Sequence, residues 1–192
     1  MAQARGLARE LAILAAANEV LNELGYERLS VDAVAARARA SKATIYARWP
    51  DKASLVAAAL VAQSHDQPRL PWHARSLRED LVALLELFVH LAETESLTTF
   101  MGVLAAAESE PALAEAVRQT ALTPRYQDCR DIVQRAIGRG EISSPDVAER
   151  IFELTMGHIL VRYVLLHRPL DQKDQLEFVD QVLMPALRAP SS

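Results

Sequence analysis

Leu7, Leu11, Leu14, Ala17, Leu21 and Leu24 recur at three- and four-residue spacing, which places them on one face of a first helix that Gly25 is suited to stop. Ser30 then caps a short second helix carrying Val31, Val34, Ala35 and Ala38, with Asp32 in the first turn, where the helix dipole favours a carboxylate. A break near Arg39 and Ala40 leads to Ser41, a second capping residue, and to the compact run 42–49, which Pro50 ends. Asp51 is placed to cap a fourth helix whose Leu55, Val56, Ala59, Leu60 and Ala62 share an apolar side.

The pattern lapses from His65 to His73, where Pro68 and Pro71 mark a connection. Beyond it, residues 76–92 carry Leu77, Leu81, Leu84, Leu85, Phe88 and Leu91 on one broad face, and residues 97–107 form another apolar helix. Glu110-Pro111 and Thr123-Pro124 read as helix starts, because proline is tolerated where no backbone donor is needed. Ser144-Pro145 opens a strongly apolar segment that Pro169 closes. Asp171 is placed to cap a final helix ending near Pro185 to Leu187. The expected fold is all-α, with about nine helices.

Composition agrees with this reading. Of 192 residues, 51% are hydrophobic and only 5% aromatic, and glycine occurs six times, a mixture that favours helix over strand. Cys129 is the single cysteine, so no intrachain disulfide or cysteine-based zinc site can form, and a reducing compartment is expected. The five histidines lack the paired helical spacing of a zinc enzyme, so neither metal nor cofactor is expected. No uninterrupted signal-peptide core is present. The most apolar stretch, 151–166, is interrupted by Glu153, His158 and Arg162 and is too short to span a bilayer, so a cytoplasmic protein without a membrane partner is expected.

Charge is unevenly spread. The chain carries −4 overall, yet residues 37–52 hold Arg37, Arg39, Lys42, Arg48 and Lys52 against Asp51 alone, a local +4 that leaves −8 elsewhere. A basic segment on an acidic body suits a local DNA contact. The same segment contains two short, capped helices with a small apolar core of Val34, Ala35, Ala38 and Ile45. Ser41, Lys42, Thr44, Tyr46, Ala47 and Arg48 lie toward the opposite side, where hydroxyls and cations suit phosphate oxygens. Lys42 or Arg48 also has the reach for guanine O6 and N7. Trp49 is expected to pack, not to read bases.

Residues 29–35, Leu-Ser-Val-Asp-Ala-Val-Ala, followed by residues 41–52, Ser-Lys-Ala-Thr-Ile-Tyr-Ala-Arg-Trp-Pro-Asp-Lys, resemble the DNA-binding signature of TetR-family transcriptional regulators. The resemblance implies a helix-turn-helix over residues 1–52 and a ligand-binding and dimerisation domain over 53–192, with the helix from about 51 to 65 connecting them. It implies phosphate contacts from Ser30, Thr44, Tyr46 and Lys52. Lys42, Ala43, Ala47 and Arg48 fall where the family approaches bases or backbone, and Ser41 lies beside them. Two positions depart from the pattern: Arg39 stands where many members have a turn glycine and Ala43 where many have another. Arg39 is kept in the DNA-binding set as a cation that can face a phosphate.

By the same resemblance, the last two long helices, about 148–166 and 175–187, pair with a second copy. Ile151, Ile159, Leu160, Tyr163, Val164, Val182 and Leu183 are the candidate surface, and Gly157 would permit close approach. The alternative for these residues is one subunit's own core. Family pockets lie between helices of the larger domain, so Phe88, Leu91, Phe100, Met101, Leu104, Tyr126, Cys129 and Met156 are candidate ligand contacts, each also a plausible core residue. His90 and His158 would add polar contacts, or be ordinary half-buried histidines. The expected function is a homodimeric repressor on a palindromic operator, released by a small apolar or aromatic effector of unknown identity. A transcriptional activator or a helical small-molecule-binding protein with the same head are the alternatives. No phosphate loop, nucleophile elbow or Ser-x-x-Lys arrangement supports an enzyme.

Overall fold

A computed structural model describes residues 2–64, 75–94 and 97–188, with side chains over 6–63, 75–93 and 97–187. The connection expected between His65 and His73 lies outside the described residues. The α-helical segments are α1 (Ala2–Arg28), α2 (Val31–Arg37), α3 (Lys42–Tyr46), α4 (Lys52–Ser64), α5 (Leu77–Thr94), α6 (Leu97–Ala107), α7 (Pro111–Val117), α8 (Thr123–Gly138), α9 (Val147–Ile159), α10 (Gln172–Phe178) and α11 (Met184–Arg188). No strand occurs among the described residues. The all-helical class expected from the sequence is the one observed.

α8 starts at Thr123, as Thr123-Pro124 suggested, and the final helix ends at Arg188, one residue past the expected end near Pro185 to Leu187, but the backbone ahead of both prolines is helical. Each follows a π-helical turn, Arg118–Leu122 in the first case and Val179–Leu183 in the second. A proline supplies no N–H to the carbonyl one turn back and its ring crowds that carbonyl. Widening the preceding turn by one residue relieves both problems, so helix runs into α8 without a break at Pro124 and continues through Pro185. A third π-helical turn, Leu160–Leu165, extends α9, and His167 closes that run in the left-handed region at φ 49° just ahead of Pro169.

The described chain forms two compact units that interleave in sequence. The first comprises Met1–Gln67 with Thr98–Leu122, the second Pro68–Leu97 with Thr123–Ser192. In the first unit, α4 packs against both α1 and α7. Ile13, Ala17 and Val20 of α1, Val34 of α2, Ile45 of α3 and Leu55 and Val56 of α4 share a core with Val103 of α6 and Leu113, Ala116 and Val117 of α7. Asn18 ties α1 to α4 by donating from Nδ2 to the Ala59 carbonyl at 3.0 Å.

The second unit is built on α5, α8 and α9, with α10 and α11 completing it. Leu77, Leu81, Leu84 and Leu85 of α5 meet Cys129, Ile132, Val133 and Ala136 of α8, Ile151 and Ile159 of α9, and Val179 and Leu183 from the turn after α10. Buried charges among the described residues of this unit have ion-pair partners. Buried Asp80 accepts from Arg135 at 2.7 Å and Arg139 at 3.0 Å, while Arg125 and Asp128, also buried, pair at 3.1 Å. Taking a carboxylate out of water without such partners would be costly.

Candidate nucleic-acid interface

The helix-turn-helix is held by its caps. Ser30 Oγ accepts from the Ala33 N–H at 3.2 Å and starts α2. Ser41 Oγ accepts from the Thr44 N–H at 3.1 Å and starts α3. Both serines use an oxygen lone pair for the cap, so Ser30 keeps its hydroxyl proton for an outside acceptor. Ser41 and Thr44 hydroxyls lie 2.8 Å apart, so one donates to the other and one proton is left to donate outward. At the end of the motif, Asp51 accepts from the Ser54 N–H at 2.7 Å and starts α4. That hydrogen bond holds the Asp51 carboxyl below its ordinary range.

Between the two helices, Arg39 takes φ 50°, the left-handed conformation that glycine would adopt without strain. The turn is braced from α1, where Arg9 Nη2 donates to the Arg39 carbonyl at 2.6 Å. Arg39 therefore fulfils the backbone role of the absent glycine while presenting an exposed guanidinium.

Burial divides the recognition segment sharply. Ile45 is fully buried and Trp49 nearly so, whereas Tyr46 is 49% exposed. Trp49 packs, as its sequence context suggested. Ser30, Arg39, Ser41, Lys42, Ala43, Ala47 and Arg48 are exposed and Thr44 is half-buried, so the DNA-binding candidates other than Lys52 lie at or close to the surface. Ala43 and Ala47, one turn apart, leave the α3 backbone open to close approach. Lys52 is half-buried. Its ammonium donates to the Glu27 carbonyl at 3.2 Å and sits 4.2 Å from the centre of the Tyr26 ring, fixing the end of α1 while retaining two further donors.

The cations are more engaged than the local charge suggests. Arg37 is clamped to α1 by Glu23 and Glu19 at 2.7 and 3.0 Å, and its hydrogen bond holds the Glu23 carboxyl below its usual range. Lys42 pairs with Asp32 at 2.5 Å, which raises the Lys42 pKa, and Arg48 lies 3.4 Å from Glu10. Glu10 and the bracing Arg9 escaped the sequence reading, because nothing along α1 reveals which turn of α1 faces the motif. Glu19 and Glu23 did leave a trace, two acids at i, i+4 spacing on one helix face.

The regulatory candidates fall into both units. Phe100 and Leu104 pack against the first core and Met101 is exposed. Phe88 and Cys129 are buried in the second core, with Leu91 and Met156 packed against it. There Phe152, missed in sequence, meets both Phe88 and Tyr126 edge-on at 6.5 and 6.2 Å between ring centres. Of the candidate dimer residues, Ile151, Ile159 and Leu183 are buried in the chain's own core. The Tyr163 hydroxyl donates to Glu93 and accepts from the Leu170 N–H. Leu160 and Val164 are half-buried and Val182 is exposed, and the largest apolar exposures nearby are Leu165 at 70% and Leu166 at 52%. Burial pushes the Cys129 thiol up to about 12. His158 stacks on Phe178 with 3.8 Å between ring centres. No cluster of three metal-ligating side chains and no helix long and apolar enough to cross a membrane is found among the described residues.

Comparison with known proteins places this geometry. Residues 13–59 match the model of the bacterial regulatory proteins of the tetR family, and residues 71–182 match the tetracyclin repressor-like C-terminal domain. A helix-turn-helix-type transcriptional regulator of Mycobacterium tuberculosis is 38% identical, covering 93% of this chain and 88% of its own length. A DNA-binding transcriptional repressor of Mycobacteroides abscessus is 35% identical, covering 96% and 97% of the two chains. Among solved structures, a TetR-family transcription regulator superposes with a TM-score of 0.66 at 26% identity, covering 93% of this chain and 97% of its own. A capped helix-turn-helix with an exposed recognition helix, joined in one sequence to a family-matching C-terminal domain, shows that this chain belongs to the TetR family of helix-turn-helix transcriptional regulators.

Proposed function

We propose that this regulator is a repressor that binds a palindromic operator as a homodimer and releases it when a small apolar or aromatic effector binds. The observation that carries the DNA half is the exposure of Ser30, Arg39, Ser41, Tyr46, Ala43 and Ala47 in and beside the capped helix-turn-helix, with Thr44 half-buried against Ser41. Hydroxyl and guanidinium donors among these residues match phosphate oxygens, and a helix as short as α3 fits a major groove. Arg48 and Lys42 are the base-reading candidates. Residues 1–52 form the reading head in this proposal, and 53–192 the regulatory part. A relative 35% identical over nearly its whole length is named a DNA-binding transcriptional repressor, which supports repression.

Dimerisation rests on a different surface. Val161, Leu165, Leu166 and Val182 expose apolar area at the end of α9 and after α10, and Leu160 and Val164 extend it. Apolar exposure of this kind marks interaction surfaces, and two heads reach successive major grooves only as a pair. For the effector, the proposed site is the edge-on aromatic cluster of Phe88, Phe152 and Tyr126, which with Leu91, Met156 and Cys129 lies in or against the second core and would have to open to admit a ligand.

In vitro selection from a randomised duplex pool, followed by footprinting, tests the proposal. The expected product is an inverted repeat with half-sites about one helical turn apart, roughly 34–36 Å, protected in a salt-sensitive manner. An unstructured pool after selection would remove the operator reading. A library of aromatic and apolar compounds, scored by release of the selected duplex, tests the effector.

A further inference from the structure

Tyr26 and Lys52 come from different helices and meet where α1 ends. Gly25 takes φ 75° inside α1, a left-handed value that glycine adopts at little cost. Tyr26 to Arg28 form a last turn, closed by the Leu29 N–H on the Gly25 and Tyr26 carbonyls at 3.1 and 3.2 Å. The Glu27 carbonyl has no further turn of helix to satisfy it. Lys52 Nζ donates to that carbonyl at 3.2 Å and sits 4.2 Å from the centre of the Tyr26 ring, close enough for the electron-rich face to hold a cation. The ring itself is fixed, because Tyr26 is only 8% exposed and belongs to the first core. Burial, reinforced by Glu110, Asp51 and Glu27, pushes its phenol pKa upward, so the ring stays neutral.

We infer that Tyr26 is a positioning residue for DNA binding: with the Glu27 carbonyl it fixes the Lys52 ammonium before a duplex arrives. The inference rests on the DNA-binding reading above, which gives Lys52 a phosphate. What holds Lys52 differs in kind from what holds Arg37, whose guanidinium is neutralised by Glu19 and Glu23. A carbonyl and a ring carry no net charge, and no carboxylate stands within ion-pair distance of Lys52 among the described residues. Lys52 is therefore ordered without being neutralised. An ammonium has three N–H groups, so a phosphate oxygen can be added without breaking either contact. Contacts kept in both the free chain and the complex cancel from the affinity. What remains is the cost of ordering a lysine, already met on folding, which corresponds to about two- to tenfold in affinity. Tyr26 reads no base, so the gain is the same for every sequence.

The test uses the full chain and two duplexes of equal length, one of random sequence and one selected by the wild-type protein. Tyr26→Leu removes the ring face and keeps an apolar side chain. It is expected to weaken binding to both duplexes about two- to tenfold, with an unchanged log–log salt slope because Lys52 still reaches its phosphate. Lys52→Met is expected to weaken both and to flatten the slope by about 0.9. In the Lys52→Met background Tyr26→Leu should have no further effect, whereas a tyrosine that only supports the fold would weaken binding in either background. Tyr26→Phe keeps the ring and should bind as wild type does. A second measurement needs no variant: the ε-methylene protons of Lys52 should be shifted upfield by the Tyr26 ring in the free chain, and should stay shifted with duplex bound. Loss of that shift in the complex, no loss of affinity with Tyr26→Leu, the same loss in both backgrounds, or a Lys52→Met chain with wild-type affinity and slope would each overturn the inference. Failure of the wild-type chain to bind any duplex would instead sink the DNA-binding reading itself. Melting curves set a temperature at which every variant is folded.

Discussion

Arg39→Gly separates the energetics of the turn from its chemistry. At φ 50° the Arg39 Cβ crowds its own carbonyl, a cost of roughly 1–2 kcal/mol for a residue other than glycine. Glycine removes that cost but gives the unfolded chain more freedom, which takes back about 0.5–1 kcal/mol. The hydrogen bonds of the turn belong to the backbone and survive: Arg39 N–H to the Ala36 carbonyl at 3.3 Å, and the Arg39 carbonyl to Arg9 at 2.6 Å. The net expectation is a stabilisation of about 0.5–1 kcal/mol, or ~1–4 °C in Tm for a chain of this size. Thermal and urea melts of wild type, Arg39→Gly and Arg39→Ala measure it. Arg39→Ala keeps the strained backbone and loses only the long side chain, so it should melt at or below wild type. If Arg39→Gly melts no higher than Arg39→Ala, the strain argument fails. On DNA the same glycine should do the opposite. Losing one phosphate contact weakens binding and flattens the salt slope by about 0.9.

Four other outcomes follow from the same structure. Ser41→Ala removes the α3 cap and should cost about 1 kcal/mol in a urea melt, with the loss of DNA binding exceeding that seen for Ala43→Ser, which leaves the cap intact. Cys129, buried and with its thiol pushed up to about 12, should resist a thiol reagent near pH 8 until the chain unfolds; rapid labelling of the native protein would contradict its placement. Burial and the neighbouring Arg162 hold His158 below its ordinary 6.5, so the unfolded chain takes up a proton that the folded chain refuses. Stability should therefore fall as pH drops below about 6.5, and His158→Gln should flatten that part of the profile in urea melts; an identical profile would be inconsistent with this. Leu165→Asp places charge on the proposed dimer surface, where each buried leucine contributes about 1.5–3 kcal/mol. Sedimentation should show monomers, and an unchanged dimer would move the interface elsewhere.

How much of this was legible in the chain depends on whether a residue's role is local. Ser30, Ser41, Asp51 and Asp171 read correctly as caps because a cap is a contact across three residues. The start of α3 at Lys42 was legible for the same reason, although the helix ends at Tyr46, short of the run 42–49 read from the sequence. The roles of Arg37, Lys42 and Arg48 did not, since their partners Glu19, Glu23, Asp32 and Glu10 lie on other helices and only the packed structure brings them together. The apolar residues of α9 show a third case. Ile151 and Ile159 belong to the core, while Val161 and Leu165, from the turn that follows, are exposed. Periodicity reports that such residues are apolar, not whether a chain or its neighbour covers them. The π-helical turns ahead of Pro124 and Pro185 were hidden too, because proline in a sequence marks a missing donor without saying how the backbone accommodates it.

The first core bears on how this protein can be cut and recombined. Helices α1 to α4 do not close their own interior: Val103, Leu113, Ala116 and Val117 arrive from a stretch that begins about thirty residues beyond α4. A fragment ending after α4 would leave the Leu55 and Val56 side of that interior open to water, and would be expected to aggregate or melt at low temperature. Chimeras that graft this reading head onto another regulator would need to carry residues 98–122 with it, or match the donor's small alanine and valine side chains there. A splice site set at the end of the helix-turn-helix signature alone would divide a single folding unit.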